Sequence, residues 1–531
     1  MYGAIGFRRQ RRLRVFMVAA ILGCIASTAQ AGTLRVAIDA EPEGLDPLLH
    51  HHAPGKMVLQ HIGEALVGYR SDLSIAPVLA ERIEISGDGR TYRFPLRGGV
   101  TFHNGERMTA SDVVWTWNSY YLDQKRPWEC RVFYDGSGNT EDRTSGVRVL
   151  SVTAPSPDVV EFRLAEPSSL FLHRLADTSC APLVFHRNSM GSDGEWPTFV
   201  GTGPFRLAGW ERGRHLRLEK FEAYVPRREP RDGYGGARVA LADAIEFVVV
   251  AGNGLAALAE DRVDIVPDVD PATFEEARGL PGIRAQISPL TSWYDLLIQT
   301  SDPLLADRKI RQAIAHAIDI DAIAAAVTQG RQRGNPSVIP LGTQFHSTAH
   351  DARREFDPAQ ARRLLQEAGY AGQPIAMQVS RDAYPLLHET AVVVRDMLRA
   401  AGLNVELELL PWKEQLDDGY RTGRFQLSLF LFGGRNSPTL SYGKFIGPKA
   451  SIARFQWDDG DAFGLVQQAE NANDDSALQS LYDQLHRRML DAVPTIPLFN
   501  DERFDLLREG IQGYEPDRFM RVALWGVTPG D

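Results

Sequence analysis

Apolar and polar residues alternate through Thr33-Leu34-Arg35-Val36-Ala37-Ile38, which predicts a strand with one buried face. Two prolines and a glycine in Glu41-Pro42-Glu43-Gly44-Leu45-Asp46-Pro47 end it. Alternation returns at Tyr92-Arg93-Phe94-Pro95-Leu96-Arg97, behind a turn at Ser86-Gly87-Asp88-Gly89. Thr109 and Asp112 approximate a capping box, each side chain reaching the other's backbone amide. The helix behind them carries Val113, Val114, Trp117 and Tyr121 at helical spacing.

In the second half, residues 307–316 place Ile310, Ala313, Ile314 and Ala317 on one helix face. Asp319 caps a second helix that Gly330 ends, and Asp357-Pro358-Ala359-Gln360 starts a third that Gly369 ends. Strands are predicted over 375–379 and 405–410, and the apolar run 425–432 predicts a strand buried on both faces. This alternation of helix and strand predicts an α/β lobe.

The N-terminus reads as an address. Arg8, Arg9, Arg11, Arg12 and Arg14 precede an apolar stretch over 15–26, and Ala29-Gln30-Ala31 offers a cleavage site, so residues 1–31 are expected to be a signal peptide. About a dozen apolar residues are too few to span roughly 30 Å of hydrocarbon. Two alternatives stay open: a twin-arginine signal through Arg11-Arg12, and a lipoprotein box at Ile21-Leu22-Gly23-Cys24 that would tether the chain through Cys24. Cleavage takes five of the 58 basic residues and no acid, leaving 53 against 68 acidic, a formal charge of −15. Such a balance argues against a nucleic-acid partner. The remaining 500 residues exceed one core, so two or three domains are expected. Cys130 and Cys180 are the only cysteines left, and an oxidising compartment would favour their pairing as a disulfide; two unrelated thiols are the alternative.

Catalytic motifs are missing: there is no G-x-S-x-G, no phosphate loop, and His388-Glu389 lacks the second histidine of a zinc-protease motif. His50-His51-His52 with His61 is the one cluster with metal potential, but adjacent histidines point apart, and neither metal nor cofactor is expected. A secreted hydrolase and a periplasmic chaperone or receptor ectodomain remain the competing classes.

The stretch LAERIEISGDGRTYRFPLRGGVTFHNGERMTASDVVWTW, residues 79–117, resembles the signature of the family 5 bacterial extracellular solute-binding proteins. Gly201-Thr202-Gly203-Pro204-Phe205, the region 308–323, the region 356–370 and Pro494-Thr495-Ile496-Pro497-Leu498 follow in the family's order. The resemblance implies a two-lobed α/β periplasmic-binding-protein fold (type II, large cluster C-like) with lobes joined by two hinge strands near 286–293 and 492–499. It implies lobe I over 32–285 with an extra subdomain at roughly 60–185, lobe II over 286–493, and a return to lobe I over 494–531. It also implies a periplasmic, non-catalytic monomer that captures a small molecule or short peptide and delivers it to an inner-membrane ABC permease.

For the ligand, lobe I offers Glu43, Gly44, Thr202 and Gly203, the hinge offers Trp293 and Tyr294, and lobe II offers Trp412. The aromatics serve equally well as core or hinge packing. In dipeptide-binding relatives an Arg and a nearby Tyr hold the peptide carboxylate, and Val379-Ser380-Arg381-Asp382-Ala383-Tyr384-Pro385 looks similar, giving Arg381 and Tyr384. Those relatives pair the peptide ammonium with an Asp after the apolar strand. Here Gly433-Gly434-Arg435-Asn436 follows instead, so Arg435 and Asn436 imply a ligand that is peptide-like and anionic.

Overall fold

The computed structural model describes residues 32–47, 53–123, 133, 147–177, 182–191, 194–518 and 521–530. The signal segment, His50 to His52, and both Cys130 and Cys180 lie outside the described residues.

Ten strands form one sheet, in the order Val405–Leu410, Ile375–Ser380, Leu427–Phe432, Ile283–Ile298, Thr495–Arg508, Ile265–Val266, Thr33–Ile38, Ala244–Val249, His215–Lys220 and Phe205–Glu211. The two long central strands, Ile283–Ile298 and Thr495–Arg508, pair antiparallel and run through both lobes. One lobe is built on their Ile283 and Arg508 ends, the other on their Ile298 and Thr495 ends. Their ladder is interrupted between Pro289 and Trp293, where the chain crosses from lobe to lobe. A bulge of this kind bends and twists a strand pair locally, which suits a crossing that must flex.

The first lobe's main core gathers Leu34, Val36, Ile245 and Phe247 from the sheet with Leu507, Tyr514, Val522 and Leu524 from the chain's end. The same core extends into a four-stranded antiparallel sheet, Glu84–Ile85, Thr91–Pro95, Val159–Leu164 and Val149–Ser156, covered by the helix Ala110–Thr116. In the second lobe, apolar clusters cover both faces of the sheet, and all six residues of Leu427–Phe432 are buried, as a two-sided strand requires.

Local chemistry sets the element ends. Thr109 donates its amide and hydroxyl to Asp112 at 2.9 and 2.8 Å. Asp307, Asp319 and Asp357 each accept amides of the helices they precede. Gly330 and Gly369 take the left-handed φ of +79° and +69° that stops the chain from continuing as helix. The apolar run predicted from 425 starts its strand at Leu427, because Gln426 instead donates to Asp302 and accepts from the Ala376 amide.

Candidate functional site

The topology itself makes a cleft. The strands Leu427–Phe432, Ile375–Ser380 and Val405–Leu410 are mutually parallel, and they run opposite to the parallel pair Thr33–Ile38 and Ile265–Val266 across the central strands. Their C-terminal ends therefore face each other at the crossing. Ligands of open α/β sheets collect outside such carboxyl ends. The first lobe presents Asp39 to Pro47 and Asp268 there; the second presents Arg381, Trp412 and Gly433 to Asn436.

Arg381 is exposed and forms no salt bridge among the described residues; only its backbone is engaged, the amide donating to Leu410 O at 3.2 Å. Beside it, Asp382 accepts from Ser380 Oγ at 2.9 Å and from the Trp412 amide at 2.8 Å, locking two strand ends together. Tyr384 is 47% exposed, holds a positive φ of 53°, and sets its ring edge-on to Trp412 at 5.5 Å. A tyrosine held at positive φ is strained, a cost that surrounding structure must offset. Trp412 is half-buried and backed by Phe430 at 5.1 Å.

Tyr294 on the first crossing strand joins this group to a second. Its ring stacks on Phe499 at 4.6 Å, and burial, with Asp501 and Tyr384 close by, raises its hydroxyl. Asp501 accepts from Ser292 Oγ at 3.3 Å. Burial pushes its carboxyl up to about 6, and the neighbouring Asp268 and Glu502 add to the rise. Asp268 is likewise raised by burial, with Asp505 and Asp39 contributing. The cleft thus carries carboxylates at the crossing and a guanidinium on the second lobe. Asp501 and Asp268 were not among the residues singled out from sequence. The one sequence signal was a run of four polar residues, Asn500 to Arg503, inside an otherwise apolar strand.

Several expected ligand residues have other employment. Thr202 is buried and donates to Glu64 Oε2 at 2.9 Å, a carboxylate that also accepts from Tyr224 at 2.9 Å. Gly203 is pressed on a helix end, where a β-carbon would stand 2.5 Å from His61 O. His61 is itself buried, its Nε2 accepting the Leu524 amide at 2.9 Å. Trp293 is 1% exposed, stacked on Phe432 and donating to Asp295 at 2.9 Å, so it packs the crossing and does not wall a pocket. Glu43 is exposed beside the half-buried Gly44, which has open space around its Cα. Gly434 packs so tightly on the crossing that a β-carbon would overlap the Thr291 hydroxyl, and the chain beyond it turns to the other lobe. Arg435 and Asn436 accordingly border Leu73, Ile339 and Phe345, with the Asn436 side chain on Tyr69. Arg435 thus stands between the lobes, with Leu73 of one and Ile339 of the other beside it. Among the described residues no group of three His, Cys, Asp or Glu is placed to hold a metal ion, and no helix is long and apolar enough to cross a membrane.

Asp295 allows a test of the crossing. It lies wholly buried between the long strands, accepting from Trp293 Nε1 and from the Thr495 hydroxyl. Burial pushes its carboxyl up to about 7. A raised carboxyl favours folding below its unfolded value near 4, and that contribution is lost as pH rises through about 7. Asp295→Asn copies the neutral form, so calorimetry should find the variant more stable than the parent at pH 8 and no more stable at pH 4. A variant that melts lower at both would show the ionised form to be the stabilising one.

Residues 74–451 match the bacterial extracellular solute-binding proteins, family 5, middle region. The chain is 25% identical over 526 residues to the dipeptide-binding protein of Escherichia coli, covering 93% of this chain and 94% of that one. It is 27% identical over 524 residues to di/tripeptide-binding protein 4 of Pseudomonas aeruginosa, covering 92% and 94%. Among solved structures, HbpA2 from Haemophilus parasuis superposes with a TM-score of 0.78 at 22% identity, over 94% of this chain and 99% of that one. This chain belongs to the family 5 bacterial extracellular solute-binding proteins.

Proposed function

We propose that this protein is the exported capture component of an ABC importer and that its ligand is a short peptide or a peptide-like zwitterion. The ligand carboxylate would meet Arg381 between Tyr384 and Trp412, and its ammonium would lie toward Asp501 and Asp268. The observation that carries this reading is Tyr294, which stands on the crossing strand close to both Tyr384 and Asp501 and so brings the Arg381–Tyr384 side of the cleft next to the carboxylates at the crossing. A charged donor and acceptor placed apart in one cleft suit a molecule with one charge at each end. Relatives named for dipeptide and di/tripeptide binding support the same ligand class. The wider assignment follows the sequence: residues 1–31 cleaved as a signal in the periplasm (or Cys24 lipidated), lobe I over 32–285 and 494–531, lobe II over 286–493, a Cys130–Cys180 disulfide, a monomer, an inner-membrane permease as partner, and no turnover of the ligand.

Titration calorimetry with dipeptides and their N-acetylated forms tests the reading. A charge-assisted bond contributes roughly 1.5–3 kcal/mol, so Arg381→Ala should weaken dipeptide binding about 10- to 100-fold. Asp501→Asn should weaken free-amine dipeptides and leave N-acetylated ones unchanged. Equal affinity of the unaltered protein for both forms would remove the ammonium subsite.

A further inference from the structure

The lobes also touch away from the crossing strands: the Gln344 amide donates to Asp72 O at 2.7 Å, Arg518 donates to Leu341 O at 3.1 Å, and a third set of contacts gathers on one short helix of the first lobe, Leu170–Ala176. Ser169, its capping residue, donates its amide to Glu470 O at 2.8 Å and its hydroxyl to Ala469 O at 2.7 Å. Both acceptors belong to the last turn of the second lobe's helix Gly460–Asn471. Carbonyls of a last turn have no partner within their own helix. The amide end of one helix thus completes the carbonyl end of another across the lobe boundary, the orientation that helix dipoles favour.

The Ser169 turn is held rigidly from its own side. Ser168 Oγ accepts the Leu170 amide at 3.2 Å, and Ser168 O accepts from the Tyr92 hydroxyl at 3.1 Å. Farther along the helix, the His173 ring lies near the Asn436 backbone, while Tyr69 donates to His173 O at 2.8 Å and stands beside the Asn436 side chain. Leu440 of the second lobe is 7% exposed and belongs to the first lobe's core. Gly89, at a φ of +67°, lies so close that a β-carbon would stand 3.1 Å from Asn473 Nδ2.

We propose that the helix Leu170–Ala176 is a latch that holds the two lobes in the arrangement seen here through contacts in which no ligand takes part. The free protein's equilibrium between lobe arrangements is then biased by Ser169 and Asn436, in addition to the crossing strands and the Asp72–Gln344 and Leu341–Arg518 contacts. Any ligand works against or with that preset equilibrium, because apparent affinity scales with the fraction of protein in the competent arrangement.

Small-angle scattering of ligand-stripped protein, with no ligand added, tests the latch independently of the ligand assignment. Ser169→Pro removes both donors, and the native φ of −63° is one proline adopts. Ser169→Ala removes the hydroxyl alone, and Asn436→Ala removes the side chain that meets Tyr69. The unaltered protein should follow the scattering profile of this structure. Ser169→Pro and Asn436→Ala should depopulate that arrangement about five- to tenfold, with Ser169→Ala intermediate and its melting temperature unchanged. Superimposable profiles for the unaltered protein, Ser169→Ala and Asn436→Ala would overturn the latch, even if Ser169→Pro failed to fold.

Discussion

Replacing Arg503 with alanine is expected to cost about 3–5 kcal/mol of folding stability, the range for breaking a buried ion pair. Arg503 and Asp505 sit on the second crossing strand with side chains wholly buried, 2.7 Å apart. The guanidinium also donates to Arg521 O at 2.9 Å, fastening the C-terminal segment to the strand. Asp505 meanwhile accepts the Asp268 amide at 2.9 Å and so shapes one wall of the cleft. Alanine at 503 would leave the wholly buried Asp505 carboxylate without its guanidinium, with only the Asp268 amide and the Tyr514 hydroxyl near it and the Asp268 carboxyl adding repulsion. The double change Arg503→Met with Asp505→Leu should recover much of the loss, since apolar residues of similar size tolerate that site better than a lone charge. Urea denaturation of the three proteins decides it. A single-variant loss below 1 kcal/mol would mean that the pair is reached by water in the folded state.

Acid should loosen one face of the second lobe before the rest. His346, His350 and His486 cluster between the segment 346–352 and the helix Asp475–Ala492, with ring centroids 5.8 and 5.1 Å apart. His486 Nε2 donates to Ala352 O at 2.9 Å, and His350 Nδ1 accepts the Ser347 amide at 3.2 Å, so the His350 ring is neutral. Burial is the main cause that holds His350 down at about 4 and lowers the other two, and mutual repulsion adds to it. Asp483, Asp351, Arg333 and Arg487 are the other charges they feel. The unfolded chain takes up the His350 proton near pH 6.5 and the folded one only near 4, so its contribution is intact above 6.5 and lost as pH falls toward 4, and the other two histidines shift in the same direction. For His350 alone this is roughly 2–3 kcal/mol. Amide exchange corrected for intrinsic rates should show residues 347–352 losing protection between pH 7 and pH 5, and His350→Gln should blunt the loss. Asp295, Asp501 and Glu470 are raised and pull the global pH dependence the other way, which is why a local readout is needed. Unchanged protection across that range would remove the acid-sensitive cluster.

What was readable in the sequence was local or periodic. The aspartate caps at 307, 319 and 357 act on amides two or three residues away, so their roles are written in short windows. The two-sided strand Leu427–Phe432 was legible because burial on both faces leaves no polar position to disguise it. The site was less legible because its chemistry is decided at a distance. Arg381 and Arg435 both follow strands of one lobe, yet Arg381 is exposed while Arg435 lies beside Leu73 of the other lobe, a difference set by packing at Gly434 and Thr291. Thr202 read as a ligand residue until Glu64, 138 positions earlier, took its hydroxyl. Asp501 and Asp268 come together from strands more than two hundred residues apart, a proximity that no window of sequence contains.

The place of Thr495–Arg508 in the sheet governs how the chain can be assembled. It is the last strand to be synthesised, yet it lies between Ile283–Ile298 and Ile265–Val266 in the middle of the ten. Until it arrives, each lobe is a half-sheet with an unpaired edge, and the first lobe lacks Leu507, Tyr514, Val522 and Leu524 from its core. Folding from the N-terminus as the chain emerges therefore cannot yield a finished lobe. A chain released about forty residues early would present two open edges, the kind of surface that recruits other chains into aggregates. Such a topology keeps either half from closing until the whole polypeptide is available, and makes its final segment the quality check on everything made before it.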